Sequence, residues 1–102
     1  MEDKIKVLYY GLVQNVVGKR EEEISLPADA KAKQLIDALV AKYGESFQNG
    51  LLDVTGGLRS NVTVLLDDDN INEMKGLETE LKNAKEVAIV VTIPQFGGGA
   101  RA

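Results

Sequence analysis

Residues Glu86 to Ile93 constrain the fold more than any other stretch of this chain. In an extended strand Val87, Ile89, Val91 and Ile93 share one face, and Ala88 and Val90 share the other. A strand that is apolar on both faces belongs in the middle of a sheet, with neighbours on either side. Pro94 has no N–H to continue a ladder, so the ordered fold is expected to end there.

The neighbours of that strand must come from upstream. Lys4 to Tyr10 alternates Ile5, Val7 and Tyr9 against Lys6, Leu8 and Tyr10 and reads as a strand. Glu21 to Leu26 is a second strand, with Ile24 and Leu26 on one face. The two form an opening hairpin whose loop, Gly11 to Lys19, is longer than the tight types. Val62 to Leu66 is a third clear strand, followed by a turn at Asp67-Asp68-Asp69-Asn70 and a very short return strand at Asn70 to Asn72.

One segment carries a helical period. From Ala30 to Tyr43, residues Leu35, Ile36, Leu39, Val40 and Tyr43 form a single stripe. Asp29 is the expected N-cap and Gly44 the expected left-handed C-cap. Glu45 to Ser60 is polar, with Leu51, Leu52 and Val54 inside it, and reads as an irregular or partly helical loop. Gly76 to Leu81 reads as a single helical turn. The order is β-β-α-β-(β)-β. It predicts an α+β fold, a mixed sheet of four to five strands with one main helix packed on one face.

Composition narrows the chemistry. The 102 residues include no Cys and no His. Thiolate nucleophiles, His bases, disulfides and the usual zinc ligand sets are therefore excluded. A net charge of -4 with scattered Lys and Arg argues against nucleic-acid binding. Asp67-Asp68-Asp69 lacks calcium-loop spacing and reads as a solvated turn, so no metal site is expected. Glu21-Glu22-Glu23 reads as a solvated strand start. Tyr9 is expected in the core and Tyr10 on the surface. Asn61-Val62-Thr63 matches a glycosylation sequon and, with no secretory signal in the charged start Met1-Glu2-Asp3-Lys4, reads as a chance match. The expected location is the cytoplasm.

The remaining candidate for chemistry is the run Gly97-Gly98-Gly99. Glycine lacks a Cβ, so such a run can lie extended in a narrow channel and present its terminal carboxylate to another enzyme. Alone, the run reads better as an inert, disordered end.

Three segments together resemble the sulfur carriers of molybdopterin and thiamin synthesis, the MoaD/ThiS family with its archaeal modifier relatives. Val7 to Gly18 is similar to the family's first strand and following loop. Asn70-Ile71-Asn72 through Gly76-Leu77-Glu78-Thr79-Glu80-Leu81-Lys82 to Val87-Ala88 is similar to its Asn-Ile … Gly-Leu-(acidic)-Thr-x-Leu-Lys segment. Pro94-Gln95-Phe96-Gly97-Gly98 is similar to its ending of proline, two residues and double glycine. The likeness spans nearly the whole chain except Glu45 to Ser60.

The resemblance implies a ubiquitin-like β-grasp domain over residues 1–94 and a flexible glycine-rich tail over 95–102. It implies that an ATP-using activating enzyme adenylates the terminal glycine, Gly98 or Gly99, and that sulfur then replaces the adenylate. No cofactor is bound by the carrier itself. The expected acceptor is a molybdopterin synthase large subunit, or its tungsten-pterin equivalent. The resemblance also implies that Tyr10, Leu77 and Ile89, with Phe96 of the tail, face partners. Family members finish on the double glycine, whereas here Ala100-Arg101-Ala102 follows. A carboxylate inside a peptide bond cannot be adenylated, so loading requires a cut after Gly98 or Gly99 or the absence of those last residues. Two further functions share the fold: a modifier joined to lysines, and an interaction module without chemistry. Deletion of Gly97 to Ala102 separates the module from the other two.

Overall fold

The computed structural model describes residues 2–82 and 84–93 of the chain. Alternation gives the sheet two distinct faces. Five strands lie in the order β2-β1-β5-β3-β4: β1 Glu2–Gly11, β2 Glu21–Pro27, β3 Val62–Leu66, β4 Asp69–Asn70 and β5 Glu86–Val91. The β1–β5 pair is parallel and the other pairs are antiparallel, so the sheet is mixed. β5 lies at the centre, as its two apolar faces require.

The core lies on one side of this sheet. Ile5, Val7 and Tyr9 of β1, Val87, Ile89 and Val91 of β5, and Val62, Val64 and Leu66 of β3 are all buried there. Helix α2, Ala32–Tyr43, belongs to the same core through Leu35, Ile36 and Leu39. The expected helix stripe and covered face are therefore present. Two smaller helices extend the cover. α1, Val13–Val17, buries Val13 and Val17 one turn apart, and α3, Glu45–Leu51, buries Phe47 and Leu51 in the same way.

Several sequence expectations change. The helix cap is Lys31, not Asp29. The Lys31 N–H donates to the Gln34 side chain at 2.7 Å, and Lys31 is bridged to Glu80, so the chain is already fixed before the helix begins. Gly44 has φ +86° with ψ -160°, a glycine conformation that turns the chain from α2 into α3 and is not the left-handed cap. The β3–β4 turn is tight. Asp67 and Asp68 take φ of +48° and +80°, the positive pair of a two-residue hairpin, which Asp tolerates. The return strand is consequently Asp69–Asn70, and Ile71 to Glu73 forms a 3-10 turn that buries Ile71. The Asp67 carboxylate accepts from the backbone N–H of Lys85 and of Glu86, which ties this turn to the start of β5.

Glu22 is the main polar surprise. Its side chain is only 8% exposed and takes part in no solvated strand start. It accepts hydrogen bonds from the hydroxyls of Tyr9 and Tyr43, and from Lys42. Burial alone would raise this carboxyl. The donors from Lys42, Tyr43 and Tyr9 outweigh burial and hold it at about 2. Burial and the Glu22 carboxylate push the Tyr9 hydroxyl well above the usual phenol range. The cluster joins β1, β2 and α2, and Tyr43 stacks on Phe47 of α3 at a centroid distance of 5.7 Å.

Candidate functional site

The face of the sheet opposite α2 carries the other half of each strand's alternation. In register, Leu8 lies beside Ala88, which lies beside Leu65. In the next row Tyr10 lies beside Val90, which lies beside Thr63. All are half-buried except Tyr10, which is 48% exposed. The charged positions of this face gather at the other end, where Lys6 pairs with Glu86 across the ladder and meets Glu21 at 3.6 Å. A shallow hollow between the two ends is lined by Leu8, Tyr10, Leu65 and Ala88, with Asp67, Asp68 and Glu86 at its acidic margin.

β5 ends at the apolar end of this face. β5 runs parallel to β1, so its last residues reach the Tyr10 row and then pass beyond it. Thr92 N–H donates to Asn61 O at 3.0 Å, one step past the last ladder pair, Val62 and Val91. Ile93 is 72% exposed and has left the core face on which the sequence pattern placed it. The chain therefore presents an apolar sheet face beside the end of β5.

The expected site residues separate on this geometry. Tyr10 is exposed at the edge of the open face. Leu77 is half-buried and packs against the core. Ile89 is fully buried on the opposite face, between Tyr9 and Val64 in the ladder, so a partner-facing role for it is corrected: it is core. Phe96, Gly97, Gly98 and Gly99 lie outside the described residues, as do Pro94 and the rest of the tail over 95–102. Sequence reasoning did not assign Leu8, Leu65, Ala88 and Val90 to this face as a surface. The signal was present in the alternation, since each is the out-of-phase partner of a core residue.

A family model matches residues 7–99, which runs from the first strand through the glycine run. The chain belongs to the ThiS family. Solved structures agree at the level of the fold. The small archaeal modifier protein 1 (SAMP1) of Methanosarcina acetivorans superposes with a TM-score of 0.74 at 22% identity, covering 94% of this chain and 99% of that one. Urm1 of Trypanosoma brucei gives 0.76 at 18%, with 93% and 97% covered. A Pyrococcus furiosus protein assigned to molybdopterin converting factor subunit 1 gives 0.64 at 24%, with 90% and 98% covered. No curated protein sequence matches the chain.

The fold is thus α+β, as the element order predicts, and it is the ubiquitin-like β-grasp that the resemblance implied. The family is one of small ubiquitin-like carriers and modifiers. Among the described residues no helix is long and apolar enough to cross a membrane.

Proposed function

We propose that this protein is a cytoplasmic sulfur carrier whose terminal glycine is adenylated and then thiocarboxylated, for delivery of sulfur to a molybdopterin or tungsten-pterin precursor. The observation that carries the reading is the reach of the family match to Gly99, which takes the glycine run inside the family's length. The open apolar face beside the exit of β5 supports it, because a donor tail needs a docking surface at its root.

The chemistry belongs to partners and the carboxylate belongs to the carrier. A terminal glycine oxygen attacks the α-phosphorus of ATP held by a ubiquitin-activating-like enzyme, and pyrophosphate leaves. Hydrosulfide released from the sulfur donor then attacks the acyl adenylate carbon, and AMP leaves. The product is a thiocarboxylate. A run without Cβ atoms fits the narrow channel such an exchange needs. No side chain of the carrier has to act, in keeping with a chain that has neither Cys nor His. The acceptor in this reading is the large subunit of molybdopterin synthase.

The test is intact mass. The chain ending at Gly98, the chain ending at Gly99 and the full chain are each incubated with the activating enzyme, ATP and a sulfur donor. One of the two shortened forms is expected to gain the mass difference between sulfur and oxygen, and the full chain to gain none unless it is cut. Failure of both shortened forms sinks the proposal. The likeness to an archaeal modifier and to Urm1 favours one second reading, conjugation to lysines. Glycine remnants on lysines of other proteins would identify it.

The docking surface yields its own prediction. Tyr10→Ala removes an exposed aromatic from the apolar end of the open face. The KM for the carrier in the activation reaction is expected to rise about tenfold, with stability changed by less than about 1 kcal/mol. An unchanged KM would show that this face does not dock the enzyme.

A further inference from the structure

The sequon-like Asn61 finds a different use in this fold. Antiparallel strands in register exchange both backbone hydrogen bonds at a hydrogen-bonded pair. Beyond Val62 and Val91 the ladder of β3 and β5 is finished, yet Thr92 is held on both sides by one residue. Its N–H donates to Asn61 O at 3.0 Å, and its hydroxyl donates to the same oxygen at 3.2 Å. Its own carbonyl accepts from the Asn61 side-chain amide, Nδ2, at 2.7 Å. The nitrogen that a glycan would occupy is therefore already donating within the fold.

Asn61 is itself fixed from the other direction. It lies in the turn closed by Val62 N–H on Arg59 O at 3.0 Å, and Arg59 Nε donates to Asn49 O of α3 at 2.6 Å. The grip on Thr92 is thus anchored to the α3 side of the molecule and not only to a neighbouring strand. Thr92 stands two residues before Pro94 and six before Gly98. Proline fixes its own φ and biases the preceding Ile93 to extended backbone. At about 3.3 Å per residue, six residues reach at most ~20 Å. The hold on Thr92 therefore fixes the root from which the glycine carboxylate must reach.

We propose that Asn61 is a positioning residue that aims the C-terminal segment from the sheet, by holding both backbone groups of Thr92. The proposal rests on the sulfur-carrier reading for its consequence but not for its geometry. Docking uses the open face, and aiming uses the root of the tail. Loss of aim lowers the fraction of docked carriers with the carboxylate in line for ATP, which acts on kcat and not on KM.

Asn61→Asp is the sharpest variant, because it keeps the shape and replaces the donor with an acceptor facing Thr92 O. Asn61→Ala removes the group altogether. Backbone order at Thr92 and Ile93 is read by NMR on the full chain, by heteronuclear NOE. Wild type is expected to be ordered there, and both variants to lose order at Ile93 while the remaining spectrum is unchanged. In chains ending at the glycine that loads, both variants are expected to lower kcat of activation about five- to tenfold, the size of one lost hydrogen bond, with KM within twofold. Asn61→Gln, which keeps the donor, is expected to recover part of the rate. Unchanged order at Ile93 in Asn61→Asp overturns the proposal, and so does a loss expressed only in KM. If the wild-type chain is never loaded, the reading of function fails, and the NMR comparison still decides whether Asn61 holds the tail.

Discussion

Gly11→Ala is expected to destabilise the protein by about 4 kcal/mol, a large share of the 5–15 kcal/mol typical of a domain. Two costs combine at this position. Gly11 has φ +79°, a conformation that costs an L-residue roughly 1–2 kcal/mol. A Cβ placed there would also lie 2.1 Å from the carbonyl oxygen of Val91. That oxygen cannot simply move aside, because it accepts the N–H of Leu12 at 2.8 Å. Forcing β1 and β5 apart at their parallel end adds an overpacking cost of roughly 1–3 kcal/mol. Gly18 supplies the control, since its φ is +75° and an added Cβ meets nothing within 4 Å. Gly18→Ala is expected to cost about 1 kcal/mol. Urea midpoints for the two variants separate strain from collision. Equal midpoints would show that the approach of Gly11 to Val91 is not tight. A shift of the melting temperature on the order of 15–30 °C is expected for Gly11→Ala.

What the sequence revealed depended on how local the cause was. β5 was legible because its own residues carry apolar groups on both faces. α2 was legible because Leu35, Ile36 and Leu39 repeat within the element that they bury. α1 was not legible. Its sequence, Val-Gln-Asn-Val-Val, is poor in helix formers, and it is held by burial of Val13 and Val17 and by Gln14 Nε2 donating to Tyr9 O at 2.8 Å. α3 has only Phe47 and Leu51 to mark its face, too few for a period. Asp29 looked like a cap by residue type, but the cap was decided by the bridge from Lys31 to Glu80, far along the chain. The candidate site divided in the same way. The glycine run is plain in the sequence, and Tyr10 is placed on the open face by alternation alone. Ile89 was assigned to a surface by resemblance, whereas strand alternation already set it with Val87 and Val91. Asn61 was invisible as a tail anchor because its partner, Thr92, is 31 positions away.

Glu22→Ala is expected to cost about 2–4 kcal/mol at neutral pH, and to flatten the acid side of the stability profile. The carboxylate is the common acceptor for Tyr9, Tyr43 and Lys42, and Tyr9 is 1% exposed. Truncation leaves the Tyr9 hydroxyl without this acceptor in a place water scarcely reaches, where an unmade bond costs more than a made one returns. The sign of the pH effect follows from the shift. The folded carboxyl is held at about 2, below its ordinary value of 4.5. A depressed acid contributes its stability in full above the unfolded value and loses it as pH falls through the folded one. The contribution, up to about 3 kcal/mol, is therefore present at pH 7 and disappears between roughly pH 4.5 and pH 2. Other carboxylates titrate in the same range, so the quantity to measure is the difference between wild type and variant. Urea midpoints at pH 7 and at pH 2.5 should differ more for wild type than for Glu22→Ala or Glu22→Gln. The two tyrosines give the opposite flank. Their hydroxyls are raised in the fold, so their contribution holds below the ordinary phenol value of 10 and is lost as pH climbs above it. Tyr9→Phe, which leaves Glu22 with Lys42 and Tyr43, should cost much less than Glu22→Ala. If the two cost the same and the acid slopes match, the hydrogen bonds to Glu22 do not hold the cluster together, and the join between β2 and α2 rests on packing alone.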